Sequence, residues 1–282
     1  MNRLTGKTIV VTAGYGDIGR ATCRRCCEEN AAVVMTGRKP LAEGQAIALQ
    51  VQRDAEATIA SNRAESCTDT SGTVEYLQCD AASRASIDAM FAEAQTRHPR
   101  IDVVIGNAAM VQNSKFLDIT AEQWQEHMDL NLTGSFHVGQ AAARIMATQE
   151  PITRPGIARG VRGKILFNSS WVQDMPWPDG CCYVTSKAGL KLMAQSMAQE
   201  LAALGIRVNL VAPGIVMAGL SKTEYEKSPE YGPRATAAVP LREFGTADQC
   251  AEAFVFLASD DADYITGISL LVDGGASLPR RD

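Results

Sequence analysis

No stretch of the chain stays apolar for the roughly 18 residues that a membrane-spanning helix needs, so such a span is not expected. Positive charge is not in excess either. With 27 Lys and Arg against 32 Asp and Glu, the net charge is -5, and nothing electrostatic favours nucleic acid or an anionic membrane surface as partner. The eight cysteines, at 23, 26, 27, 67, 79, 181, 182 and 250, lack the framework of a small secreted domain, so reduced thiols are expected. Cys23 and Cys26 spell C-x-x-C but have no second pair and no histidine nearby. Core packing, with no metal, is the expectation there. No long polar tract or internal repeat appears, and Met1 to Lys7 leads into an apolar run instead of a signal peptide. A cytoplasmic protein is expected.

What is present is an alternation. The 282 residues, 46% hydrophobic and 21% charged, suit one large α/β domain over 1–282. Short apolar runs at Thr8–Val11, Ala32–Met35, Val74–Cys79, Ile101–Ile105, Ile165–Phe167, Ile206–Val211 and Ile268–Val272 read as strands. Between them Arg20–Glu29, Leu41–Ile59, Arg84–Arg97, Trp124–Ala147, Cys181–Ala203 and Gln249–Ala258 have helical character. This order predicts parallel strands with right-handed crossovers: an α/β, doubly wound, mostly parallel seven-stranded sheet with helices on both faces. The polar segment Ser61–Thr73 reads as a surface excursion. Pro151–Arg162, with two prolines, two glycines and three arginines, reads as a loop. Ile215–Leu241 is only weakly periodic and is the candidate substrate lid.

The chemistry gathers between Asn168 and Lys187, NSSWVQDMPWPDGCCYVTSK. On a helix Tyr183 and Lys187 stand at i and i+4, one turn apart on one face. An ammonium there would favour phenolate and pull the phenol toward the working pH as an acid/base. Ser170 follows a strand, at the sheet edge where open α/β folds hold ligands, and its hydroxyl could orient a carbonyl oxygen. A lone Tyr-x-x-x-Lys is common on surface helices, so the context decides. That context includes Gly14, Gly16 and Gly19, a G-x-G-x-x-G between a strand and a helix, whose backbone amides suit a pyrophosphate. About twenty residues further on, where an acidic residue would hold the ribose of NAD, stand Gly37, Arg38 and Lys39; this leans toward NADP(H), with NAD(H) the alternative. Trp171, Met175 and Trp177 suggest an apolar or aromatic substrate, and equally core or subunit contacts.

These segments, in this order, resemble the short-chain dehydrogenase/reductase family over nearly the whole chain. Thr12 to Gly19 resembles its T-G-x-x-x-G-x-G turn, Asn107-Ala-Ala109 its N-A-G segment, and Ser170, Tyr183 and Lys187 its catalytic set. Asn131 stands at the place of its helix asparagine, Pro213-Gly214 at its turn after the sixth strand, and Asp273-Gly-Gly275 at its C-terminal signature. The resemblance implies a Rossmann-type fold and an oxidoreductase that interconverts a secondary alcohol and a ketone. Tyr183 would exchange the proton, Ser170 would hold the oxygen, Lys187 would also bond the nicotinamide ribose, and Asn131 would support a proton-passing water. It further implies cofactor contacts at Thr12, Gly14, Gly16, Asp17, Ile18, Gly19, Arg38, Asp80, Ala81, Asn107, Ala108, Pro213, Gly214 and Val216, besides Tyr183 and Lys187. Substrate contacts would fall at Trp171, Trp177 and Met217. A small-molecule alcohol or ketone is the implied partner, in a homo-oligomer, tetramer or dimer. The competing readings are a non-catalytic nicotinamide-nucleotide sensor or scaffold and a lyase or epimerase. The sequence departs from the family at Ala13 and Asp17, where glycines are expected, and at Ala218, where many members have threonine. Asp17 would either repel the pyrophosphate or cap the following helix.

Overall fold

Strands that are covered on both sides must be apolar throughout, and this chain builds its centre from such runs. The structure, a computed structural model, describes residues 2–61 and 71–279. In chain order its elements are β1 (Thr8–Val11), α1 (Asp17–Glu28), β2 (Ala32–Gly37), α2 (Leu41–Ser61), β3 (Thr73–Gln78), α3 (Arg84–Arg97), β4 (Val103–Gly106), α4 (Ala121–His127) and α5 (Ser135–Thr148). Then follow β5 (Ile152–Arg154), β6 (Ile157–Val161), β7 (Gly163–Asn168), α6 (Cys181–Leu201), β8 (Ile206–Pro213), α7 (Gly219–Lys227), α8 (Tyr231–Ala237), α9 (Ala247–Ala258) and β9 (Ser269–Val272).

Seven strands form one parallel sheet in the order β3-β2-β1-β4-β7-β8-β9, the doubly wound arrangement expected. The period of two divides each strand between two cores. Ile9, Val11, Val103 and Ile105 face α1, α2 and α9, where Cys23, Cys26, Val51 and Phe254 meet them. Val10, Val104, Ile165 and Phe167 face α3, α5 and α6, against Phe91, Val138 and Leu190. Cys23 and Cys26 are fully buried packing residues, and burial pushes both thiols up. The strand order reverses between β1 and β4, and the connections leaving their carboxyl ends diverge there to open a crevice.

Three expectations are corrected. Residues 151–162 are not a loop: β5 and β6 pair as an antiparallel hairpin, which Arg159 and Arg162 tie to the backbone carbonyls of Ala203 and Leu204. The periodic stretch 124–147 is not one continuous helix, because a π-helical segment at Met128–Gly134 separates α4 from α5. Residues 215–241 contain two short helices, α7 and α8. Residues 62–70, the body of the polar excursion, and Cys67 lie outside the described residues; the other seven cysteines are free thiols. Among the described residues no helix is long and apolar enough to cross a membrane, and no cluster of His, Cys, Asp and Glu could hold a metal.

Candidate active site

α6 presents Tyr183 and Lys187 one turn apart, as their spacing requires, toward the carboxyl end of β7. Ser170, two residues past β7, lies beside the Tyr183 phenol, and both line the same crevice. Lys187 is 1% exposed, lies with Nζ 5.6 Å from the centroid of the Tyr183 ring, and donates to the Asn168 carbonyl at 2.7 Å. Burial dominates the electrostatics of both groups. It pushes the Lys187 ammonium down to about 7 and the Tyr183 phenol above its ordinary value, the neighbouring Ser170 hydroxyl acting the other way. The expected pull of the ammonium on the phenol is therefore outweighed here, because Nζ turns to a carbonyl at the strand end and the phenol is desolvated.

Asn131 sits in the π-helical segment, wholly buried. Its Oδ1 accepts from the Met110 amide at 2.8 Å, and its Nδ2 donates to the Met110 carbonyl at 2.9 Å and to the Ser186 hydroxyl at 3.0 Å. Its amide thus clamps the segment after β4 to the first turns of α6, next to Lys187. Its own carbonyl accepts from Ser135 Oγ at 2.8 Å.

A chain of polar groups crosses the ends of β1, β4 and β7. Thr12 Oγ1 accepts from the amides of Asn107 and Ala108 at 2.8 and 3.1 Å. Asn107 Nδ2 donates to the carbonyls of Thr12 and Ala13, and Asn107 Oδ1 accepts from Asn168 Nδ2 at 2.8 Å. Asn168 then receives Lys187 at its backbone carbonyl. No motif in the sequence marks Asn168, although it immediately precedes the two serines.

Each glycine of the first turn answers a different contact. A Cβ on Gly14 would lie 2.3 Å from Met35 Cγ, and one on Gly19 would lie 2.5 Å from the Ala13 carbonyl oxygen. Gly16 meets nothing closer than 3.7 Å and offers bare backbone to the crevice. Ala13 holds φ at +47°, a left-handed conformation that favours the glycine expected there. Asp17 is the first residue of α1, whose cap is Gly16, so it does not cap that helix. Its carboxylate instead accepts from the Gly219 amide at 2.9 Å, at the start of α7.

The crevice has a volume of about 900 Å³. Gly16, Asp17, Ile18, Gly19, Asn107, Asn168, Ser170, Tyr183, Pro213, Gly214 and Val216 line it, with Trp171 and Trp177 on one wall in edge-to-face contact at 5.1 Å. Val111, Asn113, Val172, Asp179 and Ile215 complete the walls, and Ser221, Glu224, Tyr231 and Arg234 reach in from α7 and α8. Nothing in the weak periodicity of 215–241 marks these last four. Thr12 and Gly14 lie behind the turn, and Asn131 and Lys187 behind the wall. Met217 is separated from Ser170 and Tyr183: it lines a smaller cleft of about 390 Å³ beyond Asp17, with Tyr15 and Arg20. Arg38 is exposed at the end of β2 with no ion pair among the described residues. Asp80 follows β3, where its carboxylate accepts from the Ala82 amide at 3.0 Å, and Ala81 is buried beside it.

Comparison with known proteins finds relatives over nearly the whole chain. A family model described as enoyl-(acyl carrier protein) reductase matches residues 13–277. The chain is 35% identical over 272 residues to the L-rhamnose 1-dehydrogenase (NAD(P)(+)) of Azotobacter vinelandii, covering 96% of this chain and 97% of that one. It is 33% identical over 277 residues to the 3alpha-hydroxysteroid dehydrogenase of Mediterraneibacter gnavus, covering 97% and 98%. The crystal structure of a short-chain type dehydrogenase/reductase from Mycobacterium marinum superimposes with a TM-score of 0.80 at 26% identity, covering 98% of this chain and 97% of that one.

Proposed function

The chain belongs to the short-chain dehydrogenase/reductase family, an NAD(P)-dependent oxidoreductase acting on CH–OH groups, and from that premise we propose that it oxidises or reduces an apolar, ring-bearing secondary alcohol or ketone. The observation that carries the reading is the placing of Ser170 beside Tyr183 on a crevice that also holds the Trp171–Trp177 pair. In this reading Ser170 holds the substrate oxygen and Tyr183 gives or takes its proton, while the two indoles cover an apolar ring. Lys187 fixes the strand end through Asn168, and Asn131 sets the start of α6. Residues 215–241 act as a lid.

The chain's own residues suit a dinucleotide. Gly16 leaves open backbone at the start of α1, and Gly19 allows the turn to close on Ala13. When bound, the nicotinamide supplies or accepts the hydride. Arg38, exposed and without an ion pair among the described residues, favours NADP(H), whose extra phosphate a free guanidinium would meet. The contacts ascribed to Ile18, Asp80, Ala81, Asn107, Ala108, Pro213, Gly214 and Val216 belong to the same proposal. So do a cytoplasmic setting and a homodimer or tetramer, to which exposed Phe136 on α5 and Leu192 on α6 could contribute.

A polyhydroxylated substrate is the second reading. It is favoured by Asn113, Asp179, Glu224 and Arg234, polar groups on the same crevice. The test follows nicotinamide absorbance with a 3-hydroxysteroid, an aryl alkyl carbinol, L-rhamnose and D-glucose, each with NADP(H) and NAD(H), in the parent, Tyr183→Phe and Arg38→Ala. Turnover of the first two, lost by about 100-fold or more in Tyr183→Phe, is expected. Arg38→Ala should lower kcat/KM with NADP(H) more than with NAD(H). Turnover of the sugars alone would overturn the apolar reading.

A further inference from the structure

Two of the departures from the family pattern meet in space. Asp17 stands at the start of α1 and Ala218 precedes α7, and 202 residues separate Asp17 from Gly219, yet Asp17 Oδ2 accepts the Gly219 amide at 2.9 Å. A helix start leaves several amides without partners inside the helix, and a Ser, Thr, Asp or Asn at the cap position ordinarily accepts one of them. The cap position of α7 is Ala218, which has no acceptor, and no local side chain caps the helix. We propose that Asp17 is a lid-positioning residue, a carboxylate carried by the phosphate-binding turn that caps α7 in place of the hydroxyl missing at 218.

The surrounding backbone explains why one contact has this leverage. Residues 215–217 are held to Gly245: Gly245 donates to the Ile215 carbonyl at 3.0 Å and Met217 donates to the Gly245 carbonyl at 2.9 Å. Beyond Met217 that pairing ends. Gly219 turns the chain with φ at +51°, where a Cβ would find open space, so the backbone conformation and not crowding calls for glycine. Ala218 makes only a local turn to the Val216 carbonyl at 2.7 Å, so the bond to Asp17 is the next long-range link and fixes where α7 begins. A carboxylate there lies beside the positive ends of two helices, α1 and α7, and both favour an anion. This accounts for an acidic residue in a turn that otherwise awaits phosphate.

The inference rests on the reading of residues 215–241 as a lid, and the experiment separates the two. Hydrogen exchange by mass spectrometry on the full chain compares the parent, Asp17→Ala, Asp17→Asn and Asp17→Ala with Ala218→Ser. Exchange in peptides over 219–224 is expected to rise about fivefold in Asp17→Ala, as loss of a cap implies, with peptides of α3 unchanged as the internal control. Asp17→Asn, which keeps an acceptor, should stay near the parent, and Ala218→Ser should return the double variant most of the way. Unchanged exchange in Asp17→Ala, or no recovery on adding Ala218→Ser, overturns the proposal whatever the turnover. If exchange responds as expected, a raised KM with kcat retained supports both statements. Unaltered kinetics would leave the cap standing and remove the lid.

Discussion

Replacing Lys187 with methionine is expected to make the protein inactive and, below neutral pH, more stable. The ammonium is 1% exposed and its hydrogen bond goes to a carbonyl, not a carboxylate. Burial lowers it from 10.5 to about 7. A basic group depressed in the folded state binds fewer protons there than in the unfolded chain, so stability rises with pH between those two values and the full cost falls below the lower one. At roughly 1.4 kcal/mol per unit, that cost is about 4–5 kcal/mol near pH 6 and about 2 kcal/mol near pH 9. Methionine has a similar length and no charge; it forfeits the amine's bond to the Asn168 carbonyl, about 0.5–1.5 kcal/mol for a neutral donor, the state from which the pH-dependent cost is reckoned. The variant should then be more stable by about 3–4 kcal/mol at pH 6 and by about 1 kcal/mol at pH 9. Urea unfolding of both proteins without cofactor at these two pH values gives the difference directly, provided the slopes agree. A variant that is less stable at pH 6, or a difference that does not shrink with rising pH, would refute the reasoning.

Two further outcomes follow from the site's framework. Ala13→Gly should stabilise the protein by about 0.5–1 kcal/mol, because the left-handed φ of +47° costs alanine more than the extra freedom of glycine in the unfolded chain; calorimetry should show Tm higher by about 1–3 °C, and no rise would count against strain at this turn. Asn131→Ala should cost about 2–3 kcal/mol in urea unfolding, since the Met110 amide and carbonyl lose their partner. A loss of activity without that loss of stability would instead favour a direct role in proton transfer.

The sheet was readable because each strand is a run of β-branched or apolar residues bounded by glycine, proline or a polar group, and the helix–strand alternation leaves few topologies. The hairpin at 152–161 was not, because Pro151 at its edge and Pro155 and Gly156 at its turn read as breakers, and its support comes from carbonyls beyond α6. Nor was the π-helical segment, whose extra residue per turn leaves the apolar pattern of 124–147 intact. In the site, spacing alone placed Tyr183 beside Lys187. It could not say whether burial or the neighbouring charge would decide their protonation, since that depends on what Nζ touches. Within its own segment Asp17 reads as a repulsive charge or a cap on its own helix. Its partner lies on another element, and no local pattern carries a contact of that range.

The polar chain from Thr12 through Asn107 and Asn168 to Lys187 also has a meaning in time. Thr12, Asn107 and Asn168 stand at the ends of β1, β4 and β7, strands far apart in sequence that lie side by side only after the central pairings form. Long-range parallel pairing is slow, because loop closure precedes the contacts that reward it. A refolding intermediate with helices formed but β4 unpaired would leave Lys187 without a fixed carbonyl and Ser170 away from Tyr183. Recovery of turnover should therefore lag behind recovery of helix and coincide with closure of the sheet's middle, so that activity acts as the clock of the last folding step.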